Sequence, residues 1–176
     1  MLRVKAGDLN RMGLLFERYH RELFGFLYHI SHNPHASEDM VQTVFYRMLK
    51  YRHTFTGEGQ FRTWMYHVAR NVLVDAAQQN KSSAHHRDVA EYADRIGGGV
   101  LADEVLQKKE EAATLQQAMA RLSADHREVL VMSRYQELKY EEIARILGLT
   151  ESAVKVRVYR AMNELKKIYL NREYER

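Results

Sequence analysis

The side chains best suited to chemistry in this sequence are its histidines, its adjacent carboxylates and a run of cations near the C-terminus. His29, His32 and His35, with His85 and His86 further on, offer imidazoles to a metal. Spacing of three and three across Asn33-Pro34 is no known ligand pattern, so surface or pH-insensitive histidines are expected and no metal. Glu110-Glu111 and Glu141-Glu142 are chain neighbours on helical patterns. Such neighbours diverge by ~100° around the axis and cannot share a substrate. There is no cysteine, which removes disulfides, thiolate nucleophiles and zinc–thiolate sites. Neither a phosphate-binding glycine loop nor a nucleophile elbow is present. These exclusions argue against an enzyme and call for no cofactor.

What remains is charge. The formal net charge is only +4 over 176 residues, so its distribution matters more than its sum. Between residues 152 and 167, Lys155, Arg157, Arg160, Lys166 and Lys167 stand against the single acid Glu164. A basic stripe on one helix is the footprint of a polyanion site, although a merely solvated face has the same composition. The elements around the stripe decide between them. In LKYEEIARILGLTESAVKVRVYRAMNELKK, Tyr140–Leu147 reads as a short helix with Ile143, Ala144 and Leu147 inward. Gly148 supplies a positive-φ stop, Leu149 plugs the turn, and Thr150 caps the next helix with Glu151 behind it. This is a helix-turn-helix. Val154, Val158, Ala161 and Leu165 share the core side of the second helix. Ser152, Lys155, Val156 and Tyr159 project the other way, with Arg157 and Arg160 on the flank. A helix so equipped fits a DNA major groove better than it fits a purely solvated hairpin.

Upstream, the chain also reads as helices. Leu15, Tyr19, Leu23, Phe26, Leu27 and Ile30 recur at three and four until Asn33-Pro34 breaks the stripe. Ser37 is the expected cap of a second helix carrying Val41, Val44, Phe45, Met48 and Leu49. Residues 54–60 form a loop with two glycines. A third helix starts near Phe61, with Trp64, Met65, Val68, Val72 and Leu73 on its apolar side, so Trp64 is expected in the core. After Asn80 the pattern fades through Gly97-Gly98-Gly99, with at most a short helical piece near Asp88–Ile96. A stretch this long inside one compact domain is uncommon. The expected fold is all-α: two small helical domains, 1–80 and 109–176, joined by a flexible linker at 81–108. Helical pattern returns at Ala112–Leu122 and again after Ser123, a further candidate cap.

Two stretches match a known family. LSADHREVLVMSRYQELKYEEIARILGLTESAVKVRVYRAMNELK resembles domain 4, and SEDMVQTVFYRMLKY with FTGEGQFRTWMYHVARNVLVD resembles region 2, of the extracytoplasmic-function (ECF) sigma factors of the sigma-70 superfamily. Their order and the weak linker between them agree with that resemblance, which covers nearly the whole chain. It implies a dissociable initiation subunit that binds core RNA polymerase, finds a promoter and helps open it, without catalysis.

The resemblance also implies roles for particular residues. Asp39, Gln42 and Tyr46 would dock on the clamp helices of the largest polymerase subunit, while domain 4 meets the flap. The loop Phe55–Gln60, with Gly57 and Glu58, would read the −10 element around a base taken out of the stack. Phe55 and Phe61 would line its pocket, a stabilisation that must offset a few kcal/mol of unstacking. Asn71 would read a base edge, and Arg62 and Arg70 would hold the displaced strand. At the −35 element the contacts would be Ser152, Lys155, Val156, Arg157, Tyr159 and Arg160. Valine at 156, where a polar residue is common, offers contact to a thymine methyl and no hydrogen bond. Lys139 stands where a serine often caps the first helix of the motif, so that end should be weaker. An anti-sigma factor is the further partner implied. With no transmembrane stretch or signal peptide, the expected compartment is the cytoplasm. The alternatives are a stand-alone helix-turn-helix regulator and a helical interaction module. The first half of the chain argues against both: SEDMVQTVF with FRTWMYHVARNVLVD resembles a polymerase-docking and melting domain, and no sensing pocket is evident.

Overall fold

A computed structural model describes residues 1–82 and 102–173, and the described residues contain helices and no strands. The expected piece near Asp88–Ile96 and the pair His85-His86 lie outside them. A short first helix, α1 (Leu2–Lys5), leads into α2 (Arg11–Ser31), α3 (Pro34–Lys50) and α4 (Phe61–Ser82). A single 3₁₀ turn at Arg52–Thr54 follows α3. The second half comprises α5 (Ala102–Arg121), α6 (Ala124–Leu130), α7 (Tyr140–Leu147) and α8 (Glu151–Glu173). Residues 102–108, expected as linker, are therefore helical.

Local chemistry sets most of the boundaries. α2 ends where His32 takes the left-handed conformation at φ 54° and its N–H donates back to the Tyr28 carbonyl. The start of α3 differs from expectation. Asn33 is its cap, accepting from Ala36 N at 3.0 Å, with Pro34 in the first turn, where its missing N–H leaves nothing unpaired. Ser37 lies buried inside the helix and donates to the Asn33 carbonyl at 2.7 Å. Ser123 caps α6 as expected, accepting from His126 N. At the start of α7 the weak Lys139 position is supported from the other side, because Glu142 accepts from Lys139 N at 2.9 Å.

The packing joins the two halves. Leu23, Phe26 and Leu27 of α2 meet Val41, Val44, Phe45 and Met48 of α3 and Met65, Tyr66, Ala69 and Val72 of α4. The same apolar cluster continues into Val129, Leu130, Ile143, Ile146, Val154, Val158 and Ala161. Helix α4 packs on α7, and α2 packs on the π-helical turn Val131–Tyr135 that ends α6. The helix-turn-helix thus rests directly on the first helical bundle.

Candidate nucleic-acid interface

The helix-turn-helix is built as its sequence indicates. Gly148 sits at φ 67°, Leu149 N donates to the Ala144 carbonyl at 2.9 Å, and Thr150 Oγ1 accepts from Ala153 N at 3.2 Å. Val154, Val158 and Ala161 are buried beneath α8. On the opposite face Ser152, Lys155 and Arg160 are exposed, and so are Val156 at 48% and Tyr159 at 70%. A valine and a tyrosine held this far into water between two cations form a surface suited to base edges and phosphates. Lys155 Nζ lies 2.8 Å from Glu151, whose hydrogen bond and charge raise the lysine's pKa. Arg157 is placed differently. It is half-buried and turned toward Asp125 of α6, with Nη1 3.5 Å from the carboxylate, so it braces its own domain.

The loop between α3 and α4 carries Gly57 at φ 86° and Gly59 at φ 83°, conformations that disfavour a side chain. Glu58 N donates to Thr56 Oγ1 at 3.2 Å, and Gly57, Glu58 and Gln60 are exposed. The Phe55 ring is buried, in edge contact with Phe61 at 6.0 Å and tilted on Trp64 at 5.4 Å. These two phenylalanines pack on each other, and neither lines the nearby cleft. That cleft, of about 460 Å³, is lined by Arg47, Tyr51, Thr54, Trp64, His67, Val68 and Asn71. Trp64 belongs to core and cleft at once: it packs on the apolar cluster while its indole N–H donates to Thr54 Oγ1 at 3.3 Å. Asn71 is exposed and stands at the cleft, and it is joined there by Arg47, Tyr51 and His67, which no sequence pattern singles out.

Arg62 and Arg70 face the second half of the molecule. Arg62 grips Glu22 Oε1 through Nε at 2.9 Å and Nη2 at 2.7 Å, and Nη2 also donates to the Gln136 carbonyl at 3.1 Å. The Tyr66 hydroxyl lies 2.6 Å from both Glu22 Oε1 and Gln136 Oε1. One phenolic proton cannot serve two acceptors, so the network closes when it goes to Glu22 and the Gln136 amide turns its NH₂ to the phenolic oxygen. Burial, then the Glu22 hydrogen bond and charge, push the Tyr66 hydroxyl far above its usual pKa. Arg70 Nε donates to Glu128 at 3.0 Å; burial raises the Glu128 pKa and the arginine opposes that rise. Thr63 donates to Glu142 at 3.3 Å, and Arg127 Nη1 to the Ile30 carbonyl at 2.9 Å. These partners lie 40 to 97 residues apart, beyond any local sequence signal.

On α3, Asp39, Gln42 and Tyr46 are all exposed along one stripe, with Lys50 Nζ 5.9 Å from the Tyr46 ring centre. Of the histidines expected to be at the surface or insensitive to pH, His35 is exposed, while His29 and His32 are partly buried. The His29 ring lies tilted against Tyr135 with ring centres 3.9 Å apart, and both His32 ring nitrogens are buried without a partner. Burial foremost, then Arg127 and His29, lower the His32 pKa to about 4.

Comparison with known proteins agrees with this geometry. Residues 15–83 match the family described as Sigma-70 region 2, and residues 112–165 match Sigma-70, region 4. The chain is 30% identical over 171 residues to the RNA polymerase sigma factor YlaC of Bacillus subtilis, covering 92% of this chain and 94% of that protein. It is 28% identical to the ECF RNA polymerase sigma factor SigW of the same organism, over 93% and 91% of the two chains. Two solved structures share the fold. One is the sigma factor RpoE of Bartonella quintana in complex with the anti-sigma factor NepR, with TM-score 0.69 and 22% identity over 89% of this chain and 94% of that one. The other is CnrH in complex with the cytosolic domain of CnrY, with TM-score 0.70 and 19% identity over 95% and 92%. Matches to both regions in their order, with relatives aligned along nearly the whole chain, place this chain in the ECF family of sigma-70-type RNA polymerase sigma factors.

Proposed function

We propose that this chain is the dissociable specificity subunit of a bacterial RNA polymerase: it binds the core enzyme, directs it to promoters with −35 and −10 elements, and helps open the DNA. The observation that carries the reading is the pairing, in one chain, of a recognition helix exposing Val156 and Tyr159 between cations with a second helical bundle bearing a glycine loop and a cleft. Lys155, Val156, Tyr159, Arg160 and Ser152 meet the −35 major groove. Arg157 steadies the helix from behind until a phosphate competes for it. The loop 55–60 and Asn71 meet the −10 strand, with Trp64 as the aromatic wall of the cleft. Asp39, Gln42 and Tyr46 dock on the clamp helices of the largest polymerase subunit, and the second half of the chain on the flap. No catalytic group is needed for any of these tasks.

The arrangement described here is a closed one. Arg62 and Arg70, proposed to hold the displaced strand, are engaged by Glu22, Gln136 and Glu128. They reach DNA only when the helix-turn-helix lifts off α4. An anti-sigma protein that grips both halves would hold them closed; of the two fold relatives, RpoE was solved with the anti-sigma factor NepR and CnrH with the cytosolic domain of CnrY. Among the described residues no helix is long and apolar enough to cross a membrane.

Run-off transcription tests the proposal: core polymerase plus this chain, on promoters selected from a random library. Transcription that requires the chain and a −35/−10 pair, and that falls steeply with salt as counterions are released, is the expected result. Unaided binding of a dimer to duplex DNA, with no effect on core polymerase, would instead mark a stand-alone regulator.

A further inference from the structure

The first five residues lie outside both family matches, yet they are docked on the −10 loop. Val4 is fully buried, although α1 has only a single turn. Lys5 reaches across 50 positions to donate from Nζ to the Phe55 carbonyl at 2.7 Å. The Leu2 side chain sits so close over Gly57 that a Cβ there would lie 2.8 Å from Leu2 Cδ2. Past Lys5 the chain turns at Gly7, φ 109°, and Arg11 Nε pairs with Asp8 at 3.1 Å, which fixes the return into α2.

The loop has reason to need such support. With two positive-φ glycines and five successive exposed residues from Thr56 to Gln60, it has little packing of its own. On the far side its neighbour is Arg145 of α7, 3.9 Å from where a Cβ on Gly59 would stand. In the opening proposed above that neighbour would depart, whereas α1 packs on α2 and on the turn after α3, within the first half. We propose that residues 1–5 are a positioning element for the −10 loop: Leu2 against Gly57 and Lys5 on the Phe55 carbonyl hold the loop in its strand-reading shape once the molecule opens. The inference rests on the assignment of residues 55–60 to the −10 strand. Leu2 and Lys5 are positioning residues, since they act through the loop.

The test uses holoenzyme assembled from core polymerase with the full chain or with Lys5→Met, Lys5→Arg and Leu2→Ala variants. Three quantities are measured: capture by core polymerase, affinity for a −35 duplex, and affinity for a single-stranded −10 oligonucleotide. Lys5→Met and Leu2→Ala are expected to weaken −10 strand binding about five- to tenfold, the scale of one hydrogen bond or one apolar contact. Capture and −35 affinity stay at wild-type levels, and Lys5→Arg, which keeps a donor at similar reach, restores −10 binding. Unchanged −10 binding in both weakening variants overturns the proposal. So does a parallel loss of all three affinities with a lowered melting temperature, because that marks a general fold contact. If wild-type holoenzyme itself does not bind the −10 strand, the loop assignment is wrong and the inference falls with it.

Discussion

Replacing Tyr66 by phenylalanine removes one oxygen from the centre of the contact between the two halves and leaves the shape of the core intact. The ring is fully buried against Phe26, with ring centres 5.0 Å apart, and that packing survives the change. What disappears is the 2.6 Å hydrogen bond to Glu22 and the 2.6 Å contact to Gln136, whose side chain is itself buried. Losing a bond to a charged acceptor costs roughly 1.5–3 kcal/mol, and stranding a buried amide adds to it, so about 2 kcal/mol is expected, Glu22 still being held by Arg62. For a chain of this size the urea dependence is about 2 kcal/mol per molar, so the unfolding midpoint should fall by about 1 M. Equilibrium urea unfolding followed by circular dichroism reads this directly. A double-mutant cycle with Gln136→Ala then asks whether the loss is transmitted between the halves, with a coupling of at least about 0.5 kcal/mol expected. An unchanged midpoint in Tyr66→Phe, or strict additivity with Gln136→Ala, would refute the closed network.

Three more outcomes follow from the same geometry. His32, beside Arg127 and His29, stays neutral in the fold down to about pH 4, whereas an unfolded histidine takes up its proton near 6.5. Stability is therefore fully present above about pH 6.5 and declines as pH falls toward 4; His32→Asn, which tolerates the left-handed backbone, should flatten that decline in urea midpoints taken between pH 7.5 and 5. Lys155→Ala with Tyr159→Ala should abolish −35-dependent run-off while core capture persists, because both side chains face away from the domain core; retained initiation would reject the assigned face. Asp39→Ala with Gln42→Ala should weaken core capture at least tenfold with a native circular dichroism spectrum, and undiminished co-elution would reject that stripe.

The parts legible in the sequence are those written locally. Gly148 and Thr150 announce the turn of the helix-turn-helix because one backbone angle and one cap determine it, and the three-four spacing of Val154, Val158 and Ala161 assigns the outer face without ambiguity. The start of α3 has an equally local cause: Asn33 caps and Pro34 begins the helix, whereas the sequence pattern reads Asn33-Pro34 as a break and Ser37 as the cap. The rest is nonlocal. Nothing near Glu22 in sequence indicates that Arg62 and Tyr66 share it, nor that Gln136 arrives from the other half. Arg157 reads from sequence as a flank cation among the −35 contacts, because helical period cannot report Asp125 on a different helix. The cleft illustrates the same limit: Trp64 keeps the apolar period of α4, yet Arg47, Tyr51 and His67 join it only once α3 and α4 are packed.

Gel filtration of this chain with purified bacterial core RNA polymerase tests the central claim most directly. Co-elution at one chain per core enzyme is the result the account predicts, with Arg62 and Arg70 released from their partners in the complex. Failure to co-elute with cognate core polymerase, while the chain alone shifts duplex DNA, would contradict it.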